Sequence, residues 1–471
     1  MSAAKKSSAT PSYRIEEGHG VWPNLWKFSG LLALIGGAIS AFGFVSNPER
    51  FGYSYLFGFF VVCTLVFGGL FLTIALQMTS GKWGTTSRRI PEMVIACAPV
   101  LLVLFLPFAA GVATHTFVNY HEWQDAEAHG AHGDGHGDDE AHGDEHGDNE
   151  AHGDEHSSLF EASVARADTG DDHGDGEAHA HTPQEIALHH KVIEGKTGFL
   201  NTPGWLFRGF LFIVIWIVIG AIYFRQSRKQ DDMLDDRQGR IDITAKLKYY
   251  APVAAIFFFL SLTYAAFDWL MSMEAAWYST IFGVIIFGGS AMTIFAFCIL
   301  VGVPLHKHGV LGNAINVEHF HDLGKLMFGF MCFWTYTSFS QWMLIWYAGI
   351  PEEATFFEKR WTEGWQFWSV MLPIGHFALP FFFLISRLVK RRLQMLWFGA
   401  LWLVIMHCAD IYWYVMPQYA GGFGLDFTDI GALLFCGGTF MTAFFLLMKR
   451  LPLIPVGDPI LERSLHHHQT H

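Results

Sequence analysis

Ten long apolar stretches run through this chain, at roughly 25–46, 53–78, 91–118, 204–224, 249–272, 276–303, 321–349, 365–388, 393–415 and 427–449. Each can cross ~30 Å of hydrocarbon as a helix rising ~1.5 Å per residue. Hydrocarbon offers the backbone no hydrogen-bond partners, and a helix satisfies its own N–H and C=O groups along its whole length. The expected fold class is an all-α polytopic membrane protein with ten transmembrane helices. Three of them (25–118) precede a long loop at 119–203 and seven (204–449) follow it. A segment at 1–24 and a tail at 450–471 flank the whole.

Charged residues make up only 15% of the chain, against ~25% in soluble proteins. Trp and Tyr gather near span ends, at Trp26, Trp83, Trp205, Tyr249, Tyr250, Trp277, Trp361 and Trp365, where amphipathic rings suit the lipid–water boundary. The formal net charge of -13 comes from one place. Residues 122–178 hold 19 of the 43 acidic residues and one of the 30 basic ones. No basic stripe suited to nucleic acid exists elsewhere. Assigned by loop, 21 Lys and Arg fall on the side shared by both termini and six on the opposite side. The positive-inside rule then places both termini in the cytoplasm. Lys5 and Lys6 lead into a polar stretch and a full span, so no cleavable signal peptide is expected. All six cysteines lie within spans and none forms CxxC or CxxCH. Structural disulfides, iron–sulfur ligation and covalent haem attachment are therefore not expected on this chain.

The loop at 119–203 falls on the periplasmic side in this orientation. Its middle is a degenerate repeat, in which Ala141 to His146 is echoed by Ala151 to His156. Few apolar residues and many Gly point to disorder rather than a folded domain. His142, His146, His152 and His156 stand beside acids and suit weak chelation of Zn, Ni or Cu. They lack fixed ligand spacing, so no structural metal site is expected. A solvated low-complexity insertion is the other reading, and it also serves the histidines at 466–471. Paired glycines at 36–37, 68–69, 288–289 and 437–438 are read as seams for close helix contact.

Ionisable groups at membrane depth are costly and mark candidate sites for proton chemistry. Asp268 sits near the outer end of the fifth span, with Tyr264 and Ser272 one turn either side and Glu274 beyond. A carboxyl between hydroxyls suits a proton relay or a quinol hydroxyl; a carboxylate that joins helices is the alternative. His407 and Asp410 share a face of the ninth span, as a proton-transfer pair or a structural one. His376 and His115 stand alone in their spans and read as satisfied interior histidines. Three scattered histidines do not suit haem b. At the cytoplasmic ends, Glu92 opens the third span. Glu318, His319, His321, Asp322 and Lys325 surround the start of the seventh. Helix-dipole stabilisation accounts equally for Asp322, and a snorkelling head or an Asp322 ion pair for Lys325. In the seventh span Tyr336 and Ser340 share a face among many hydroxyls, suited either to bridging the midplane of a proton path or to gluing helices together.

The same residues carry a resemblance. Asp268-Trp-Leu-Met-Ser-Met-Glu274 with Trp277-Tyr-Ser-Thr280, His319-Phe-His-Asp-Leu-Gly-Lys325, Ser338-Phe-Ser-Gln-Trp342, Ile345-Trp-Tyr347, Ile350-Pro-Glu-Glu353 and Asp410-Ile-Tyr-Trp413 recur in order. In these the chain resembles the ActF membrane subunits of alternative complex III, a bacterial quinol:cytochrome c oxidoreductase, within the NrfD/polysulfide-reductase group. Only the insertion at 122–200 falls outside the likeness. The resemblance implies two four-helix bundles plus two extra helices in the bacterial inner membrane. It implies as partners an ActC-like membrane homologue, an iron–sulfur subunit and multihaem and monohaem cytochrome c subunits, with a terminal oxidase as a further companion. ActC, beside the iron–sulfur subunit, would oxidise quinol, while this subunit supplies scaffold and a proton path. No cofactor is then expected on this chain except menaquinone or another quinol, with haem c and Fe–S clusters in the partners. A quinol site at His407 or Asp268 is the rival reading. A secondary transporter is a third, although no Gly/Pro break is paired between halves. Metal binding by 129–181 is a fourth.

Overall fold

The computed structural model describes residues 13–79, 81, 84–133, 191–312, 314–419 and 421–465. These residues are helical, with no strand among them. Nine of their helices are long and apolar enough to cross a membrane, which makes the chain a multi-pass membrane protein. The loop histidines 142, 146, 152 and 156 and the tail at 466–471 lie outside the described residues. The chain divides into residues 1–121 with 202–471, and a second unit of residues 122–201. Of the second unit, residues 122–133, which continue the helix His121–Gly133, and residues 191–201 are described.

In the first unit the helices that build the spans are α1 (Leu25–Ser46), α2 (Pro48–Thr79), α3 (Arg89–Ala96), α4 (Pro99–Ala113), α5 (Thr202–Asp232), α6 (Arg237–Trp269), α7 (Phe282–Lys307), α8 (Val317–Ala348), α9 (Trp365–Leu372), α10 (Leu379–Leu384), α11 (Leu393–Val415) and α12 (Phe427–Arg450). The expected third span is broken between α3 and α4, where Pro99 opens the second piece. The expected eighth is α9 and α10 joined by a wide π turn, Pro373–Ala378. The expected seventh is α8, a 32-residue helix that is long enough to span but too polar to rank with the other nine.

Helices α2 to α6 pack together as one group of four spans, and α7 to α11 as another. Helices α2 and α7 join the two groups, and α1 lies along α12 beside α2. Both joining helices are 78% buried over their apolar windows, which is why they read as uniformly hydrophobic rather than amphipathic. Small residues make these contacts possible. A Cβ added at Gly438 would lie 2.7 Å from the Ala33 amide nitrogen, and one at Gly68 would strike the Ser290 carbonyl.

Candidate functional site

Helix α11 buries Leu396, Ala400, Leu403, His407, Asp410 and Tyr414 at helical spacing, so one stripe turns from apolar to ionisable along its length. Asp410 Oδ2 accepts from Trp334 Nε1 of α8 at 3.0 Å. His407 Nε2 lies 3.0 Å from Thr64 Oγ1 on α2. Gly289 of α7 leaves room for the imidazole, since a Cβ there would sit 2.7 Å from His407 Cε1. His407 and Asp410 face each other as expected, with Nδ1 and Oδ2 4.0 Å apart, within ion-pair reach but too far for a hydrogen bond. Each group instead has its own partner on a different helix.

His376 is not isolated either. It sits in the π turn, which Trp402 Nε1 secures by donating to the Gly375 carbonyl at 2.7 Å. The wide turn brings the His376 ring 3.9 Å from that of Trp334 and 6.4 Å from that of His407. His376 is fully buried, and neither of its nitrogens has a hydrogen-bond partner among the described residues; His407 Nδ1 has none either. An unmade buried hydrogen bond costs ~1–3 kcal/mol. Three open imidazole nitrogens beside the Asp410 carboxyl therefore form a place that gains from taking up water or a polar ligand.

Toward the end of the bundle away from the basic loops, Tyr414 interacts electrostatically with both Asp410 and Arg360. Arg360 is buried and donates to the carbonyls of Phe356, Trp413 and Tyr414 at 2.6, 3.1 and 2.9 Å, closing the end of α11. Burial pulls its guanidinium down to about 10, against the pull of Glu274. Glu274 accepts from Thr355 Oγ1 at 2.8 Å and from Gln418 Nε2 at 2.9 Å. Burial works to raise its carboxyl, but Lys359, Arg360 and these two donors together hold it below the usual glutamate range. Polar groups thus continue from Asp410 to that end of the bundle.

Asp268 fits the second of its two expected readings, a carboxylate that joins helices. Arg208 grips it with Nε at 2.7 Å and Nη2 at 3.1 Å, a two-pronged pair between α5 and α6. Ser272 donates to the Asp268 backbone carbonyl rather than its carboxylate, and Tyr264 is 45% exposed on the outer surface of α6. No hydroxyl pair flanks the carboxyl, which pairs with Arg208 instead. Tyr336 is likewise exposed and Ser340 only half-buried; α8 points Trp334, Thr337 and Gln341 inward instead. His115 is exposed in a left-handed turn, φ 54°, and is not an interior histidine.

At the basic end, Glu92 belongs to a buried ionic lattice. It meets Arg88 at 2.7 Å and Arg89 at 3.1 Å; Arg89 also meets Asp231 at 2.6 Å, and Arg88 meets Asp458 at 2.5 Å. With Arg228 on Asp231, three cations balance three carboxylates. His319 is a helix cap, bonded to Asn316 and to the Ser464 carbonyl. Lys325 pairs with Asp322 at 2.7 Å at a half-exposed position, and His321 lies 4.0 Å from Glu318, which Arg391 also binds. Buried Leu396, Leu403, Met327 and Met331 lie between this end and the His407 cluster on α11 and α8. The polar groups of the two ends are therefore not continuous on these helices.

Arg208, Arg50 and Asp429 belong to buried structure that reading single spans did not find. Arg50 pairs with Asp429 at 2.8 Å, and Ser54 and Tyr412 donate to the same carboxylate. Their only sequence signal is a charge just inside a span for Arg208 and Asp429 and just before one for Arg50. Compared with family models and with curated proteins, the chain matches none.

Proposed function

We propose that this chain is an integral membrane subunit of a quinol:cytochrome c oxidoreductase in the bacterial inner membrane, with both termini in the cytoplasm. Companion iron–sulfur and cytochrome c subunits carry the electrons, and an ActC-like homologue shares the membrane. Within this chain His376, His407 and Asp410 hold and pass protons to the outer side. The observation that carries the reading is this buried His–His–Asp cluster, which polar groups extend through Tyr414, Arg360 and Glu274 toward one end while apolar side chains close the other. Such a one-sided path fits release of quinol protons to the periplasm better than transmembrane conduction. On this reading Glu92, His321, Asp322 and Lys325, at the basic end, stand outside the route.

The open nitrogens of His376 beside the Trp334 ring favour a second reading, a quinol hydroxyl accepted at His376. A photoreactive quinol that labels the π turn would support it.

The native complex tests the first reading. Purification by a tag on this chain is expected to bring haem c and iron–sulfur subunits with it. Asp410→Asn and His376→Phe are each expected to keep those companions but lower quinol:cytochrome c turnover on the order of 100-fold, the scale of a lost acid–base group. Unchanged turnover in both variants would remove the cluster from the mechanism. Purification without any redox companion would remove the function itself.

A further inference from the structure

The hydrogens around Asp410 have directions that the chemistry of their donors fixes. Thr64 has one hydroxyl hydrogen, and it goes to the Val61 carbonyl at 2.8 Å. Toward the Thr64 oxygen, then, His407 Nε2 is the donor, across 3.0 Å. A neutral imidazole carries one N–H, so His407 Nδ1 is left as a bare lone pair. That nitrogen is 4.0 Å from Asp410 Oδ2 and has no hydrogen-bond partner among the described residues.

Oδ2 is also the oxygen to which Trp334 Nε1 donates, at 3.0 Å. Trp205 donates to the Asp268 backbone carbonyl and Trp413 to the Ser369 hydroxyl, whereas Trp334 meets an ionisable group. A protonated carboxyl has one O–H and one carbonyl oxygen, and an indole N–H cannot accept. The carbonyl oxygen must therefore face the indole. In protonated Asp410 the hydrogen is then on Oδ1, while Oδ2 is the oxygen that faces His407. The indole is also pinned. Its ring lies 3.9 Å from that of His376, and α7 is bare beside it: a Cβ added at Gly288 would come 3.3 Å from Trp334 Cα, and one at Gly289 3.6 Å from Trp334 Cδ1.

We propose that Trp334 is a positioning residue for proton exchange: its N–H fixes the Asp410 proton on Oδ1 and so keeps it from the open Nδ1 of His407. A proton on Oδ1 reaches Nδ1 only after the carboxyl turns and gives up its bond to the indole. This rests on the reading of His376, His407 and Asp410 as proton carriers, and it names the group that decides when two of them exchange.

The test uses the native complex, purified by a tag on this chain from cells fed nitrogen-15 histidine. The His407 signal, assigned by its loss in His407→Gln, is expected to report a neutral ring with its hydrogen on Nε2 and a bare Nδ1. With 3-benzothienylalanine at position 334, sulfur replaces the N–H and the ring keeps its shape. The Nδ1 signal is then expected to shift to that of a hydrogen-bonded nitrogen, because the Asp410 proton can reach it. Trp334→Phe, a smaller ring that also lacks the N–H, is expected to give the same shift. Quinol:cytochrome c turnover is expected to fall about tenfold in both, the scale of one hydrogen bond. A hydrogen on Nδ1 in the unmodified protein, or an Nδ1 signal that stays in place once the N–H is gone, overturns the inference. The expected shift with unchanged turnover upholds the placement of the proton and overturns the part of the cluster in quinol oxidation. The signal is read on this chain whatever purifies with it, so a lack of redox companions strikes the proposed function alone.

Discussion

Arg208 and Asp268 show what an ionisable residue inside a span costs and how the fold meets that cost. The Asp268 side chain is fully buried, and its charge is tolerable because Arg208 supplies two short donors from a helix 60 residues earlier in the chain. Removing one partner of such a pair strands the other in a medium that cannot solvate it, which costs ~3–5 kcal/mol. Arg208 retains some contact with its surroundings at 18% exposure, so Arg208→Ala is expected at the lower end, ~3 kcal/mol of destabilisation. Unfolding of the detergent-solubilised protein would measure it. A stability equal to that of the unmodified protein would mean the pair is ornamental. Asp410 is the contrasting carboxyl, equally buried but with only an indole as hydrogen-bond donor among the described residues. Residue type alone marked both as candidates; only their partners separate an anchored ion from a group free to exchange a proton.

Helices meet closely where small residues leave the backbone bare. Along α1 and α12, Gly36 lies against the backbone at Leu434 and Phe435, and Gly438 against Ala33. With no hydrophobic drive between helices in lipid, close van der Waals contact is what holds such a pair. Gly36→Leu is expected to push the two helices apart and cost ~1–3 kcal/mol, the range for overpacking a tight contact. A lowered unfolding midpoint of the detergent-solubilised protein, with the chain still inserted, would show it. An unchanged midpoint would mean that the contact carries no stability. The paired glycines were readable as seams from their spacing. The π turn at Pro373–Ala378 was not, since one extra residue per turn leaves apolar composition unaltered. That turn is what converts His376 from a lone histidine into a neighbour of Trp334 and His407.

Across the whole molecule, loop charge predicts that reporters fused after residue 465 and before residue 13 are both active in the cytoplasm, while one inserted at residue 275 is active only outside. Any reporter on the wrong side would reverse the outward direction of the polar path. The hydrophobic spans and their helical state were legible in the amino-acid order, because hydrocarbon imposes length and self-satisfied backbones on each segment separately. Legible too were the residues too polar to lie idle at membrane depth. The pairing of those residues belongs to packing. Thr64, Trp334, His376, His407 and Asp410 come from four different spans, and Arg208 reaches Asp268 across two. A hydrogen bond between helices depends on how each is rotated and placed against its neighbours, and no pattern within one helix encodes that.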